Sequence, residues 1–428
     1  MTRTWKKVVD LTRGKGEPTI GRSMALLTIG SVLGRIVGIV TLPIITRIYE
    51  PDSFGLLAVY TAIVGFLIPP FSLYSLAVPL PKRQSIAINV VAMSLIFLST
   101  LTAALTVILC LFAIPLLSLI SAEGLAPYWY LIIIGVFGGG LYEVLSQWAT
   151  RTKAFKQLAI SSITQAVWSS ASQVALGLAG FHAFGLLLGG AVRNFAGSIP
   201  MMRAMREDCR GKLKKVKAAT ILKLFWIYYD FPASRLWSQL LLAFSSQALL
   251  LFSAAIFGIY AAGQINLAML VAALPLRLVG ASVGRAYYAE AAAIGRKDKR
   301  RMRELAISVV KKLAIASVPP CVVIFFFGES LFAMFFGEKW RMAGSITSYM
   351  APYVATSFIS VPVFHTLNVI GKQLYYLRVN ITRAMGTACL LGLAYYIHLD
   401  AVATTAMYSI LLSVHFIAVL WTILRMLR

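Results

Sequence analysis

Hydrophobic residues in this chain do not alternate with polar ones. They run in blocks of roughly 20 or more, the length a helix needs to cross about 30 Å of hydrocarbon. Charged residues punctuate the blocks. Reading between them predicts helices at 23–46, 54–79, 86–116, 127–150, 155–179, 183–204, 226–255, 260–290, 305–327, 343–370, 373–396 and 400–424. Twelve crossings return both termini to the side the chain entered from. The third block is longer than one crossing requires, so it either tilts or leaves a stub outside the lipid. The class predicted is an all-α polytopic membrane protein.

Composition agrees: 59% of the 428 residues are hydrophobic and 13% charged, where a soluble domain carries about a quarter charged residues. The net charge of +25, from 40 Lys and Arg against 15 Asp and Glu, would suggest nucleic acid in a soluble protein. Its distribution assigns it to the membrane instead. Basic residues gather before Arg22, at Lys82 and Arg83, at Arg151, Lys153 and Lys156, from Arg203 to Lys223, from Arg296 to Lys312, at Lys372, and at Arg425 and Arg428. These clusters alternate with weakly basic turns at 47–53, 121–127, 180–182, 257–262, 328–341 and 398–400. By the positive-inside rule the basic set, and with it both termini, is cytoplasmic. The expected location is therefore a bacterial cytoplasmic (inner) membrane.

The basic loop after the sixth helix divides the chain. The organisation expected is a basic N-terminal segment (1–22), a first six-helix lobe (23–204), a cytoplasmic linker (205–225), a second six-helix lobe (226–424) and a short tail (425–428). Segment 1–22 lacks the apolar core and cleavage site of a signal peptide. Trp5, Val8, Val9 and Leu11 among Lys6, Lys7 and Arg13 suit either a helix lying on anionic lipid or a disordered tail. The turn Ile48-Tyr49-Glu50-Pro51-Asp52-Ser53-Phe54-Gly55 pairs with Ile256-Phe257-Gly258-Ile259-Tyr260-Ala261-Ala262-Gly263 at a spacing of 208, close to half the chain. This is either a repeat in one orientation or a coincidence of hairpin chemistry. Two such bundles facing each other across a cavity form a transporter architecture.

Chemistry in the apolar blocks is carried by arginines: Arg35, Arg193, Arg235, Arg277, Arg285 and Arg383. An arginine at mid-bilayer costs at least about 2.5–3.5 kcal/mol and calls for a partner. The available acids, Glu143, Asp230 and Glu290, are too few. A central cationic cavity awaiting an anion follows. Arg35 and Arg277 lie too deep to snorkel easily; Arg193 and Arg235 are nearer the basic loops, and snorkelling remains open for them. A guanidinium holds phosphate oxygens with two parallel hydrogen bonds, although carboxylated sugars suit the same residues. Glu143 and Asp230 are either local partners of Arg151 and Arg235 or sites for a coupling proton or Na⁺. Gly30-x-x-x-Gly34-x-x-x-Gly38, Gly185 with Gly189 and Gly280 with Gly284 predict close helix packing. Gly138-Gly139-Gly140 and the prolines at 69, 70, 275, 319, 320 and 362 predict bends. Cys110, Cys209, Cys321 and Cys389 and the four histidines are scattered, so neither metal nor cofactor is expected. No ATP-binding loop, zinc helix or nucleophile elbow occurs, and an enzyme is not expected.

Thr41-Leu42-Pro43-Ile44-Ile45-Thr46-Arg47-Ile48-Tyr49-Glu50-Pro51-Asp52-Ser53-Phe54-Gly55-Leu56-Leu57-Ala58 resembles the polysaccharide biosynthesis flippases, the oligosaccharide exporters of the multidrug/oligosaccharidyl-lipid/polysaccharide superfamily. Further matches are Ala77 to Lys82, Asp230-Phe231-Pro232, Leu274-Pro275-Leu276 through Gly280 and Gly284 to Tyr287-Tyr288-Ala289-Glu290-Ala291, and Phe336 to Gly344 with Ala351-Pro352 and Asn368 to Gly371. Arg285 departs from the pattern where a polar residue such as Gln is expected. The resemblance implies two six-helix lobes that open a cationic cavity alternately to each side. It implies as cargo a glycan on a polyprenyl diphosphate, and as partners membrane lipid and the polysaccharide polymerase and assembly proteins. A multidrug or cation antiporter on the same fold is the alternative, which the scarcity of buried carboxylates disfavours.

Overall fold

In lipid every backbone N–H must be bonded within its own segment, so uninterrupted runs of Leu, Ile, Val and Ala become helices. The computed structural model describes residues 20–210, 216–229, 236–274, 279–295 and 298–427. They form α1 (Ile20–Ile48), α2 (Pro51–Phe71), α3 (Gln84–Ser118), α4 (Trp129–Arg151), α5 (Phe155–Leu178), α6 (His182–Cys209), α7 (Ala218–Ile227), α8 (Leu236–Ala272), α9 (Ala281–Ile294), α10 (Lys299–Phe336), α11 (Arg341–Ser360), α12 (Thr366–Val369), α13 (Gln373–Tyr396) and α14 (Ala401–Met426). Among the described residues, seven helical stretches are long and apolar enough to cross a membrane. The bundle has a basic end, carrying the loops rich in Lys and Arg, and a distal end, carrying the turns at 49–50, 119–128, 258 and 337–340.

The sequence-predicted blocks recur with small shifts and three larger differences. The seventh predicted block begins at 226, but the chain forms the separate helix α7 over Ala218–Ile227 first, and the next described helix, α8, is Leu236–Ala272. The expected linker 205–225 is correspondingly part helix, since α6 continues to Cys209. On α7, Ile221 and Leu224 are buried, Phe225 meets Tyr74 edge-on at 5.3 Å, and the Lys217 N–H donates to Asn89 Oδ1 at 3.0 Å. Leu222, Trp226 and Ile227 face outward, the composition of a helix lying at a membrane surface. Second, the turn expected over 257–262 is made at Gly258 alone, with φ 83° and ψ 171°, so that α8 carries both arms of a hairpin. Third, Gly138, Gly139 and Gly140 do not interrupt α4, which is helical throughout Trp129–Arg151. Each admits a different neighbour, Phe195, Ile68 and Leu98 respectively, because three adjacent positions on a helix face three directions. The paired Pro319 and Pro320 likewise lie inside the unbroken 38-residue α10, whereas α3 is kinked at Phe112, three residues before Pro115.

Small residues set the closest crossings. On α1, Gly30 faces Ala159 and Gly34 faces the Ser162 carbonyl of α5; on α6, Gly185 faces Tyr49 and Leu176, and Gly189 faces Gln173. The tightest crossing joins the two halves of the chain. A methyl on Gly55 of α2 would overlap the Ile259 carbonyl oxygen of α8, and one on Gly263 would overlap the Pro51 carbonyl oxygen. Pro51 and Ile259 are also separated by 208 positions, as Gly55 and Gly263 are. Residue i of one half thus meets the counterpart of j in the other, and j meets the counterpart of i, the reciprocity of a two-fold axis. The repeat suggested by spacing is a local two-fold contact at the distal end.

Gly55→Ala or Gly263→Ala should lower stability by roughly 1–3 kcal/mol, since backbone rather than a flexible side chain must move. The two costs should not add, because both act on one contact. Gly38, with open space where its Cβ would stand, serves as control: Gly38→Ala should be neutral or stabilise by up to about 1 kcal/mol through helix propensity. Unfolding of the purified variants in detergent measures all three.

Candidate functional site

Between the halves, the distal end is closed by a seal of hydrogen bonds and aromatic packing. Pro51 at the first position of α2 starts that helix without needing an N–H. This holds the turn at residues 49–50 against the segment after α10. There Gly337, at φ 106°, reverses the chain into a single turn, Glu338–Trp340. Trp340 is fully buried; its indole N–H donates to the Thr46 carbonyl at 3.0 Å, and its ring meets Phe54 edge-on at 4.8 Å. Gln264, one residue beyond Gly263, is equally buried. Its Nε2 donates to the Lys339 carbonyl at 2.7 Å, and its Oε1 accepts from the Ala343 N–H at 2.9 Å. Arg47 donates to the Met334 carbonyl at 3.2 Å, Lys339 pairs with Glu50 at 2.9 Å, and the Ser121 hydroxyl donates to the Ala255 carbonyl at 3.2 Å. Beside the turn, the Tyr49 hydroxyl donates to the Gln173 carbonyl at 2.7 Å, and burial pushes its phenol up to about 12. From this end α2 and α8 stay together as deep as Gly65, which faces Gln247.

Below the seal the described arginines share a level. Arg35, Arg193 and Arg383 lie within about 17–20 Å of the distal ends of α1, α6 and α13 at 1.5 Å per residue. Arg35 is half-buried; Arg193 keeps accessible surface although protein crowds it, and has Tyr142 of α4 as its electrostatic neighbour. Arg383 belongs to the second half, where it faces Tyr353, Tyr408 and His415. Among the described residues neither Arg193 nor Arg383 has a carboxylate at ion-pair distance; the three ion pairs found are Arg300–Glu304, Lys339–Glu50 and Arg341–Glu338. Arg285 falls on α9, with its side chain outside the described residues. Arg277, Arg235 and Asp230 lie outside them altogether.

Glu143 is half-buried, and its Oε1 accepts from Gln147 Nε2 at 2.9 Å one turn along α4. It does not pair with Arg151, as one sequence reading had it. Arg151 instead donates to the carbonyls of Pro79, Pro81 and Lys82, capping the loop before α3. Sequence reasoning placed Trp340 only within a matching string and passed over Gln264. A lone amide inside an apolar block was the available signal, since a buried amide must find partners. His365 was also missed as a site residue. It lies in the turn Val361–His365, with its ring 5.4 Å from that of Tyr288 and its Nε2 toward Gly284 of α9, the helix that carries Arg285.

A family model described as polysaccharide biosynthesis protein matches residues 44–344, which run from the end of α1 through the seal. No curated protein matches. Among solved structures, one described as lipid II flippase MurJ in an inward closed conformation has a TM-score of 0.71 at 12% identity, over 93% of this chain and 87% of that one. A transporter of the multidrug/oligosaccharidyl-lipid/polysaccharide superfamily from Pyrococcus furiosus has a TM-score of 0.58 at 14% identity, over 98% and 97%. An outward-facing multidrug-resistance transporter of the same superfamily reaches 0.56 at 16% identity, over 98% and 97%. At these identities the likeness is one of fold, and the fold is that of this polytopic superfamily.

Gln264→Leu should cost about 1–3 kcal/mol, because it strands the Ala343 N–H and the Lys339 carbonyl in a dry contact. Glu50→Gln removes a pair whose carboxylate side chain is 68% exposed and should cost less than about 1 kcal/mol. Thermal unfolding of the two variants side by side tests this order.

Proposed function

The chain belongs to the polysaccharide biosynthesis protein family, and on that premise we propose that it flips polyprenyl-diphosphate-linked oligosaccharide repeat units between the leaflets of the membrane. The headgroup enters from the basic, cytoplasmic end, is held by arginines at mid-depth, and leaves at the distal end once the seal parts. The lipid tail stays in the bilayer throughout. The reading rests on one observation: exposed and half-buried guanidinium groups occupy a level beneath a seal that joins the two halves at the distal end. A diphosphate suits such a site, since each guanidinium offers a fork of donors to phosphate oxygens. In this reading Arg35 and Arg193 are headgroup ligands, joined by Arg277, Arg285 and Arg235; Arg383, expected in the same set, faces Tyr353, Tyr408 and His415 and takes a separate role. Glu143 and Asp230 remain candidates for a coupling ion.

The positive-inside rule supports reading the basic end, and with it both termini, as cytoplasmic. An inside-negative potential then drives an anion outward by about 2.3 kcal/mol per charge per 100 mV, or roughly 4.6 kcal/mol for two charges. No nucleotide is needed. Fixed cations at mid-depth oppose a cationic drug as cargo, which sets the multidrug reading second. Polymerase and assembly proteins are the partners that would take up the delivered unit.

The purified protein in vesicles with polyprenyl-diphosphate glycans should make the headgroup accessible to an external glycan-modifying enzyme. Arg35→Ala and Arg193→Ala should each slow this by about 10- to 150-fold, the loss of one charge-assisted contact of about 1.5–3 kcal/mol. Arg193→Lys should fall between. Unchanged rates in both alanine variants would remove the proposed headgroup site.

A further inference from the structure

Seven buried side-chain N and O atoms lack a hydrogen-bond partner among the described residues, and four of them sit on α13 and α14: Arg383 Nε, Thr387 Oγ1, Thr404 Oγ1 and His415 Nε2. A fifth, Ser245 Oγ, is on α8, which packs on α13. The concentration is unusual for this chain. Elsewhere helical hydroxyls donate to a carbonyl one turn back, as Thr102 does to Leu98, Thr106 to Thr102 and Thr347 to Ala343. The Thr387 hydroxyl is buried and has not taken that option.

The helices run antiparallel. Gly386 on α13 packs on Leu411 of α14, so one turn toward the basic end Arg383 opposes His415, which feels its charge. Thr387 stands one turn distal of Arg383 on the same face. Tyr353 and Tyr408 complete the surroundings of the guanidinium. Arg383 has no carboxylate partner among the described residues. The cluster joins a guanidinium N–H, which can only donate, to a hydroxyl and to an imidazole nitrogen that donates in the Nε2–H tautomer. With His415 in that tautomer an anion accepts from all three groups and balances the charge of the guanidinium.

We propose that the facing surfaces of α13 and α14 bind a small monovalent anion, chloride at physiological salt, through Arg383 Nε and His415 Nε2 with the Thr387 hydroxyl. The ion balances the charge of Arg383 within the second half, apart from the headgroup site. This inference does not depend on the cargo. The site is intramembrane and formed by one half of the chain alone.

The test uses the full chain in detergent at constant ionic strength, with sodium chloride exchanged for sodium gluconate. Chloride should raise the unfolding midpoint by about 2–4 °C, and Arg383→Gln or His415→Phe should abolish the rise. Equal midpoints in the two salts, or a rise retained in both variants, would overturn the site. If neither variant folds, wild-type crystals grown in bromide decide the matter. An anomalous peak between Arg383 and His415 supports the assignment, and its absence refutes it.

Discussion

Two helix backbones can come within carbonyl contact only where no Cβ stands between them, and the joint between the halves of this protein depends on that constraint. At Gly55 and Gly263 the missing side chains let α2 and α8 approach until each glycine lies on a carbonyl of the other helix. Everything at the distal end is arranged around this approach. Gln264 follows Gly263 directly and grips the segment after α10 from both its amide atoms. Phe54 precedes Gly55 directly and receives the edge of Trp340. In lipid there is little hydrophobic force between helices, so close packing and satisfied backbone groups provide the attraction instead.

Much of the architecture was legible because the bilayer leaves the chain few choices. A block of apolar residues of the right length becomes a helix, and alternating charge orders the ends. Boundaries for the predicted block at 373–396 coincide with α13. What failed was local. The predicted block at 226 ran into α7 because Phe225, Trp226 and Ile227 are as apolar as a membrane span, although Phe225 packs on Tyr74 while Trp226 and Ile227 face outward. Hydropathy cannot separate those two fates. The glycine run of α4 read as a bend because sequence shows missing side chains but not the neighbours that fill their places.

The site was legible as a class of residue and less so as a set of contacts. Arginines stand out in apolar blocks because their burial is costly, and the level shared by Arg35, Arg193 and Arg383 follows from counting residues along each helix. Their partners do not follow. Arg151 looked like a counter-ion for Glu143 and is instead a cap for three carbonyls, while Glu143 bonds an amide. Arg383 reads in sequence as one more cavity cation, yet its neighbours are two tyrosines and a histidine on helices close to it in space. Contacts of that kind come from tertiary packing, which spacing in one dimension does not encode.

The unbroken course of α10 has a mechanical consequence. At 1.5 Å per residue its 38 residues extend about 57 Å, nearly twice the thickness of the hydrocarbon layer. One continuous element thus joins the charged stretch from Lys299 to Lys312 at the basic end to the turn that carries Trp340 at the distal end. Whatever grips that protruding rod in the aqueous phase holds a handle on the opposite face of the membrane.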